Sequence, residues 1–414
     1  MLSADSFRLI PRLPQELVDH IIDHLYDDFT TLNSCSLVTP VISPSELCQR
    51  LYRLLSSSPS IRSYIRELDV LEGSQLGTQV APHVVLAGSQ SVIWVANDRW
   101  LPRILRKLTH LKRLDFGAQS ATIQWSRMQL PAQSAIRQML SLSSLTYVRL
   151  AFWNFTSFWD LSSLISCCKN LQDLTLSNVT FGQQSGYPVD LPDTPPVLND
   201  LQEEVSLASE TRRCRLHFLT VEHVNSAPFG DWLLGPESSL DLTSLRELRV
   251  ALFNDIDFVK RLVARAGSSL EHFHFKMGES DPRPFDLSTN YNLHSMKLTL
   301  EDAAVALSWV MALLGSISTT NSLENICLEF YTPLKDMTNG WEALDALFSR
   351  EEFNGLKQVD IGLFALSTSP EYIRVTESLA GLSSRGIVRF YRLGLKGQRS
   401  NHQLTPRISR YDSS

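Results

Sequence analysis

The chain's densest set of reactive side chains lies in Glu271-His-Phe-His-Phe-Lys276. If this segment is extended, alternation puts His272, His274 and Lys276 on one face. Arg249 and Lys297 take the equivalent places in the segments before and after, so three segments carry like charge. Two chemistries suit this set. Two imidazoles could ligate a metal, but no third ligand stands at a motif spacing, so no metal site is expected. Basic groups on strands about 4.8 Å apart could instead hold an acidic or phosphorylated segment of a target protein. Because an unperturbed imidazole titrates near pH 6.5, His272 and His274 would strengthen such binding as pH falls from about 7.5 to 6. Glu247 is the only acid in these rows as the sequence is read, and the plainer alternative is a solvated strand face.

Catalytic motifs are missing: no nucleophile elbow, phosphate-binding loop, H-E-x-x-H pair or G-x-G-x-x-G turn occurs. Asp255-Ile-Asp257 pairs two carboxylates, but at the start of a helical segment they suit the positive end of its dipole. Neither an enzymatic activity nor a cofactor is expected. Six cysteines never form a C-x-x-C pair and are expected to be free thiols. A net charge of −6 argues against general nucleic-acid binding, and 43% hydrophobic with 20% charged residues is the composition of a folded soluble protein. The first residues, MLSADSFRLIPRLPQEL, place charges where a signal peptide needs an apolar core. No run approaches the roughly 18 apolar residues of a membrane span, so a cytoplasmic or nuclear location without membrane contact is expected.

The elements that would position the basic set are short strands. Leu245-Arg-Glu-Leu248-Arg-Val250 has the L-x-x-L-x-hydrophobe cadence that forms one strand in a leucine-rich repeat. The same triplet returns at Ile65/Leu68/Val70, Leu111/Leu114/Phe116, Leu145/Val148/Leu150, Leu171/Leu174/Leu176, Leu216/Leu219/Val221, Leu270/Phe273/Phe275, Leu293/Met296/Leu298, Leu323/Ile326/Leu328 and Leu356/Val359/Ile361. Spacing averages about 32 residues, longer than the usual roughly 20–29, so the array is irregular. Positions 4 and 6 point to one face, position 1 reaches the same core, and positions 3, 5 and 7 face out. No such strand buries its apolar face alone, so the repeats must stack into a parallel ladder with helices returning on the other side. Helical patterning fills the gaps at 92–108, 134–142, 158–168, 229–234, 255–266, 302–315, 339–349 and 370–382. The clearest is 255–266, with Asp255 as cap, Phe258, Leu262 and Val263 inward and Gly267 past the end.

Residues 13–55 read differently. Leu13-Pro14-Gln-Glu16-Leu17 opens a helix whose apolar stripe continues through Ile21 and Leu25, and Leu32, Cys35 and Val38 suggest a second. A third starts at Ser43-Pro44-Ser45-Glu46, with Leu47, Leu51 and Leu54 on its buried face. Three short helices are marginal as a free domain, which leaves apolar surface for a partner. The pattern Leu13-Pro14, Glu16-Leu17, Ile21, Leu25, Leu32, Cys35, Leu37-Val38 resembles the F-box, the module that docks the adaptor of a cullin-RING ubiquitin ligase. Ile42 stands where many F-boxes carry Trp. The whole layout is similar to fungal F-box proteins with irregular leucine-rich-repeat arrays.

That resemblance implies an α/β fold: a three-helix F-box-like module at 1–55, then an irregular leucine-rich-repeat solenoid at 56–395, strands concave and helices convex. A Pro-rich acidic loop interrupts it at 182–213, and a polar tail follows at 396–414. It implies a substrate-recognition subunit. Leu13, Pro14, Leu17, Ile21, Leu37 and Ile42 would contact the ligase adaptor, which bridges to the cullin scaffold. Arg249, His272, His274, Lys276 and Lys297 would contact an unknown target protein. The alternative is a non-catalytic repeat scaffold whose N-terminal helices only cap the stack.

Overall fold

A computed structural model describes residues 44–73, 94–118, 122–182, 213–224, 226–253, 255–277, 284–301, 303–331, 340–364 and 369–394. The candidate adaptor contacts Leu13, Pro14, Leu17, Ile21, Leu37 and Ile42, the loop at 183–212 and the tail lie outside these residues.

All ten hexads form strands. They are β1 (Glu67–Glu72), β2 (Arg113–Ala118), β4 (Tyr147–Phe155), β5 (Asp173–Phe181), β7 (Phe218–Glu222), β9 (Glu247–Phe253), β10 (His272–Met277), β11 (Ser295–Leu300), β12 (Asn325–Phe330) and β13 (Gln358–Leu363). An eleventh, β14 (Val388–Arg392), extends the ladder, and a short β3 (Ile123–Gln124) pairs with β4. Every pairing is parallel, and position 4 of each hexad is level with position 4 of the next, as in Leu219, Leu248, Phe273 and Met296. A separate two-stranded pairing joins β6 (Cys214–Arg215) to β8 (Leu240–Asp241).

One hydrogen-bond device sets the register. The carbonyl of position 2 accepts the N–H groups of positions 2 and 3 in the next repeat, as Arg246 O does from Glu271 and His272, and Glu271 O from His294 and Ser295. Because both donors converge on one oxygen, each strand starts at the same level as its neighbour, and a one-residue slip would turn its apolar row outward. The interior rows are almost completely buried; Leu114, Leu174, Leu248, Phe273, Met296, Leu328 and Ile361 are 0% exposed. They form one continuous core with the returning helices Leu130–Leu140, Phe158–Ser166, Ile256–Ala266 and Trp341–Phe348. The fold is a mixed α/β stack on one long parallel sheet, consistent with a leucine-rich-repeat-like solenoid.

Several sequence expectations are refined. The 92–108 helix is two, Trp94–Asn97 and Leu101–Leu105, because Asp98 Oδ1 accepts from the backbone N–H groups of Trp100 and Leu101 and restarts the chain there. The 370–382 helix likewise divides into Pro370–Ser378 and Ala380–Ser384 around Leu379. Asp255 caps Ile256–Ala266, accepting from Phe258 N at 3.0 Å, so the Asp255/Asp257 pair serves the helix start. The expected third N-terminal helix spans Pro44–Ser57, but its inward face is shifted. Leu47 is exposed, while Cys48, Leu51 and Tyr52 pack against the core and Leu55 is 0% exposed within it. That helix runs past the border drawn at residue 55, and Tyr52 lies 5.2 Å from Trp100 beside the Leu101–Leu105 helix.

Strands β4 and β5 are longer than the hexad requires. Phe152 and Asn178 have positive φ (59° and 53°), and in the register of the ladder they are level with each other and with His223 (50°) beyond β7. The kink reverses the alternation, so that Trp153, Phe155 and Val179 point inward after it. Trp153 donates from Nε1 to Phe116 O at 2.8 Å and stacks on Phe155.

Candidate binding surface

The sheet's open face is built from three rows. Position 3 runs Glu67, Arg113, Tyr147, Asp173, Phe218, Glu247, His272, Ser295, Asn325 and Gln358. Position 5 follows through Asp69, Asp115, Arg149, Thr175, Thr220, Arg249, His274, Lys297, Cys327, Asp360 and Arg389, and position 7 is mostly small or covered. Gly117, Ala151, Ser177 and Gly362 at position 7 are buried, although they belong to the face expected to look outward. At Gly362 the cover is the Tyr391 ring.

The five residues expected to contact a target do come together. His274 is level with Arg249 on one side and Lys297 on the other, while Lys276 stands beside Ala251 and Thr299. Free positive charge does not follow. Arg249 Nε bonds Glu247 Oε1 at 2.5 Å, Lys297 Nζ bonds Glu329 Oε1 at 2.7 Å, and Lys276 Nζ lies 3.2 Å from Glu301 Oε1. Glu247 is therefore not the only acid: Glu329 comes from the next strand and Glu301 from the end of β11, and each cation of the set has a carboxylate partner.

For His274 the pH expectation is also corrected. Burial, followed by the Arg249 and Lys297 charges, lowers the His274 pKa from 6.5 to about 4. His274 is neutral at physiological pH and gains no charge between pH 7.5 and 6. Among the described residues no group of three or more His, Cys, Asp or Glu side chains is arranged to hold a metal ion.

A second feature was invisible in the sequence. Tyr391 on β14 lies over Gly362, where an added Cβ would sit 2.8 Å from the ring, and reaches across β13 to donate to Glu329 Oε1 at 2.9 Å. Thr299 Oγ1 also donates to Glu329, at 2.9 Å, and Cys327 Sγ is 3.3 Å from Tyr391 Oη. Burial works to raise the Glu329 pKa, but Lys297 and the Tyr391 and Thr299 hydroxyls together hold it below the ordinary carboxylate value. Burial pushes the Cys327 thiol up, keeping it protonated and a poor nucleophile. The arrangement is thus a satisfied polar network.

β14 lacks the repeat's leucine cadence, because Arg385 occupies position 1, where a leucine is expected. Its guanidinium donates instead to Phe348 O and Phe353 O at 2.8 and 2.9 Å, closing the turn of the preceding repeat. The only local sign of the strand is Val388 and Phe390 in alternation, each half-buried.

At the other end of the face, Arg149 Nη1 bonds both oxygens of Asp115 at 3.1 and 2.9 Å. The Arg113 guanidinium lies 3.7 Å from the centre of the Tyr147 ring. Partial burial and then Asp115 raise the pKa of Asp69.

No known protein family matches the sequence, and no curated protein does. Among solved structures, a crystal structure of a TLR13–ssRNA13 complex aligns with 16% identity and a TM-score of 0.34, covering 67% of this chain and 36% of that one. The aligned part spans little more than a third of that chain, and a likeness of this size carries no argument about function. No helix among the described residues is long and apolar enough to cross a membrane.

Proposed function

We propose that this chain is an interaction protein that holds a partner on the open face of its strand ladder. The observation that carries this reading is the ladder itself: eleven parallel strands in register display rows of paired charge and hydrogen-bonding groups on a rigid frame. Compensated charges of both signs suit a polar partner of mixed charge better than a polyanion. The chain acts by holding and orienting, with no chemistry of its own. Within this reading, residues 13–42 dock a ubiquitin-ligase adaptor and its cullin scaffold, on the strength of the Leu13-Pro14, Leu17, Ile21, Leu37-Val38 pattern. The ladder would then present a target to the ligase. A second reading, a scaffold whose N-terminal helices only cap the stack, is favoured by the Pro44–Ser57 helix, which buries Leu55 in the array's core.

Affinity purification from the native cell separates the two. Removing residues 1–55 would open the core at Cys48, Leu51, Tyr52 and Leu55, so the cut belongs before Pro44. Alternatively, Leu13 and Pro14 are changed together to Ala. Both changes are expected to lose adaptor and cullin while keeping other partners. Recovery of adaptor unchanged, or none with the intact chain, overturns the ligase reading and leaves the scaffold.

A further inference from the structure

We propose that the cleft between the turns entering β1 and β2 is an oxyanion site that takes a phosphate group. The cleft, about 300 Å³, is lined by Arg62, Ser63, Arg106, Lys107, Thr109 and His110. It lies where the strands enter the sheet, at the edge of the first two repeats and away from the open strand face. It is a different surface from the one assigned above and does not depend on that reading.

Three observations point to an anion. First, the cations are held in place from behind. Arg62 spends Nε on Leu55 O at 2.6 Å, which leaves its two terminal nitrogens for a ligand, and the Lys107 ammonium sits 5.1 Å from the centre of the Tyr52 ring. Arg106 makes one long contact, 3.4 Å to Pro131 O. Second, among the described residues none of Arg62, Arg106 and Lys107 has a carboxylate within ion-pair distance. This contrasts with the strand face, where Arg249, Lys276 and Lys297 each have one. Third, Arg66 joins the same edge, donating to His110 O at 3.2 Å, so positive charge is gathered here in a chain whose net charge is −6.

Like charges brought together without acids repel, and an anion relieves that cost. A phosphate group fits best. Its oxygens accept from a guanidinium fork and a point-charge ammonium at once, which a lone halide cannot do. The cleft is at the small end of ligand sites, matching a phosphate monoester and not a long polyanion. The group can come from a small free phosphate ester or from a phosphorylated side chain of another protein.

The test uses the intact chain with inorganic phosphate and O-phosphoserine as probes, against sodium chloride at matched ionic strength. Both probes are expected to raise the melting temperature and slow hydrogen exchange in residues 59–63 and 106–110, and chloride to do neither. Tighter binding of a capped phosphoserine peptide than of free O-phosphoserine would assign the source to a phosphorylated side chain, and equal binding to a small free phosphate ester. Lys107→Gln and Arg62→Gln are each expected to weaken binding roughly tenfold or more, as loss of a charge-assisted hydrogen bond does. Should Arg62→Gln unfold through loss of its bond to Leu55 O, the exposed pair Arg106→Gln and His110→Gln serves in its place. If neither probe acts beyond the chloride effect, or the substituted chains bind phosphate as wild type does, the site does not exist.

Discussion

The two ends of the open strand face solve the same problem in different ways. On β2 and β4 the central acid, Asp115, has a side chain 16% exposed and is held by the Arg149 guanidinium of the neighbouring strand, itself 26% exposed. On β11–β14 the central acid, Glu329, is covered: its side chain is 11% exposed and receives Lys297, Thr299 and Tyr391. The difference comes from position 7. In the early repeats Gly117, Ala151 and Ser177 leave that row low, so charge stays in row 5, where water reaches it. In the late repeats row 7 carries Glu329 itself, and Gly362 lets Tyr391 close over it. Whether a surface ion pair becomes part of the fold is thus decided by the residue one strand further on.

The largest expected effect is at the covered end. Glu329→Gln removes a carboxylate that satisfies three donors and strands the Lys297 ammonium, which should cost about 2–4 kcal/mol in urea unfolding. Less than about 1 kcal/mol would mean that the covered end is no different from the open one. Gly362→Ala should follow at about 1–2 kcal/mol, because the new methyl displaces the Tyr391 ring from Glu329. Its effect should vanish when Tyr391→Ala is already present, which removes the ring as well as the hydroxyl; full additivity would show that Gly362 matters for another reason. At the open end, Asp115→Asn should cost only about 0.5–1 kcal/mol and lose most of that in high salt.

Among the contrasts between the two ends the smallest are in pH, and here the ends should move in opposite senses. Glu329 titrates below its ordinary 4.5, so it contributes stability above that value and loses it as pH falls through its depressed pKa. Asp69 titrates above its ordinary 3.8, so its charged form costs stability, and that cost is relieved as pH falls through the raised pKa. Carboxyl titrations followed by NMR should place the Asp69 midpoint above 3.8 and the Glu329 midpoint below 4.5; the reverse order would remove the contrast. Between the two ends, His274 is neutral in the fold down to about pH 4, whereas the unfolded chain protonates it near 6.5. Stability should therefore fall with pH across that window, and His274→Gln should flatten the fall.

The ladder was legible because its signal is local and repeated. Leu245, Leu248 and Val250 sit within one hexad, and ten copies leave little freedom in which face is buried or which strands are neighbours. The cap at Asp255 was legible for the same reason, since the amide that it serves is three residues away. The site was legible only as a set of positions. Arg249, His274 and Lys297 could be placed on adjacent strands by the repeat, but their charge state could not. Lys297 meets Glu329 from 32 residues away, and Tyr391 reaches the same carboxylate from 62 residues away on a strand without the expected leucine. Solvation at His274 depends on the stacked neighbours at Arg249 and Lys297. By itself the sequence determined the hydrophobic rows, because apolar periodicity is a property of successive residues along one strand. Only the tertiary structure decided which charges are compensated and which imidazole stays neutral, because Coulomb energy and desolvation are set by distance in space and by what excludes water, neither of which is written in any single repeat.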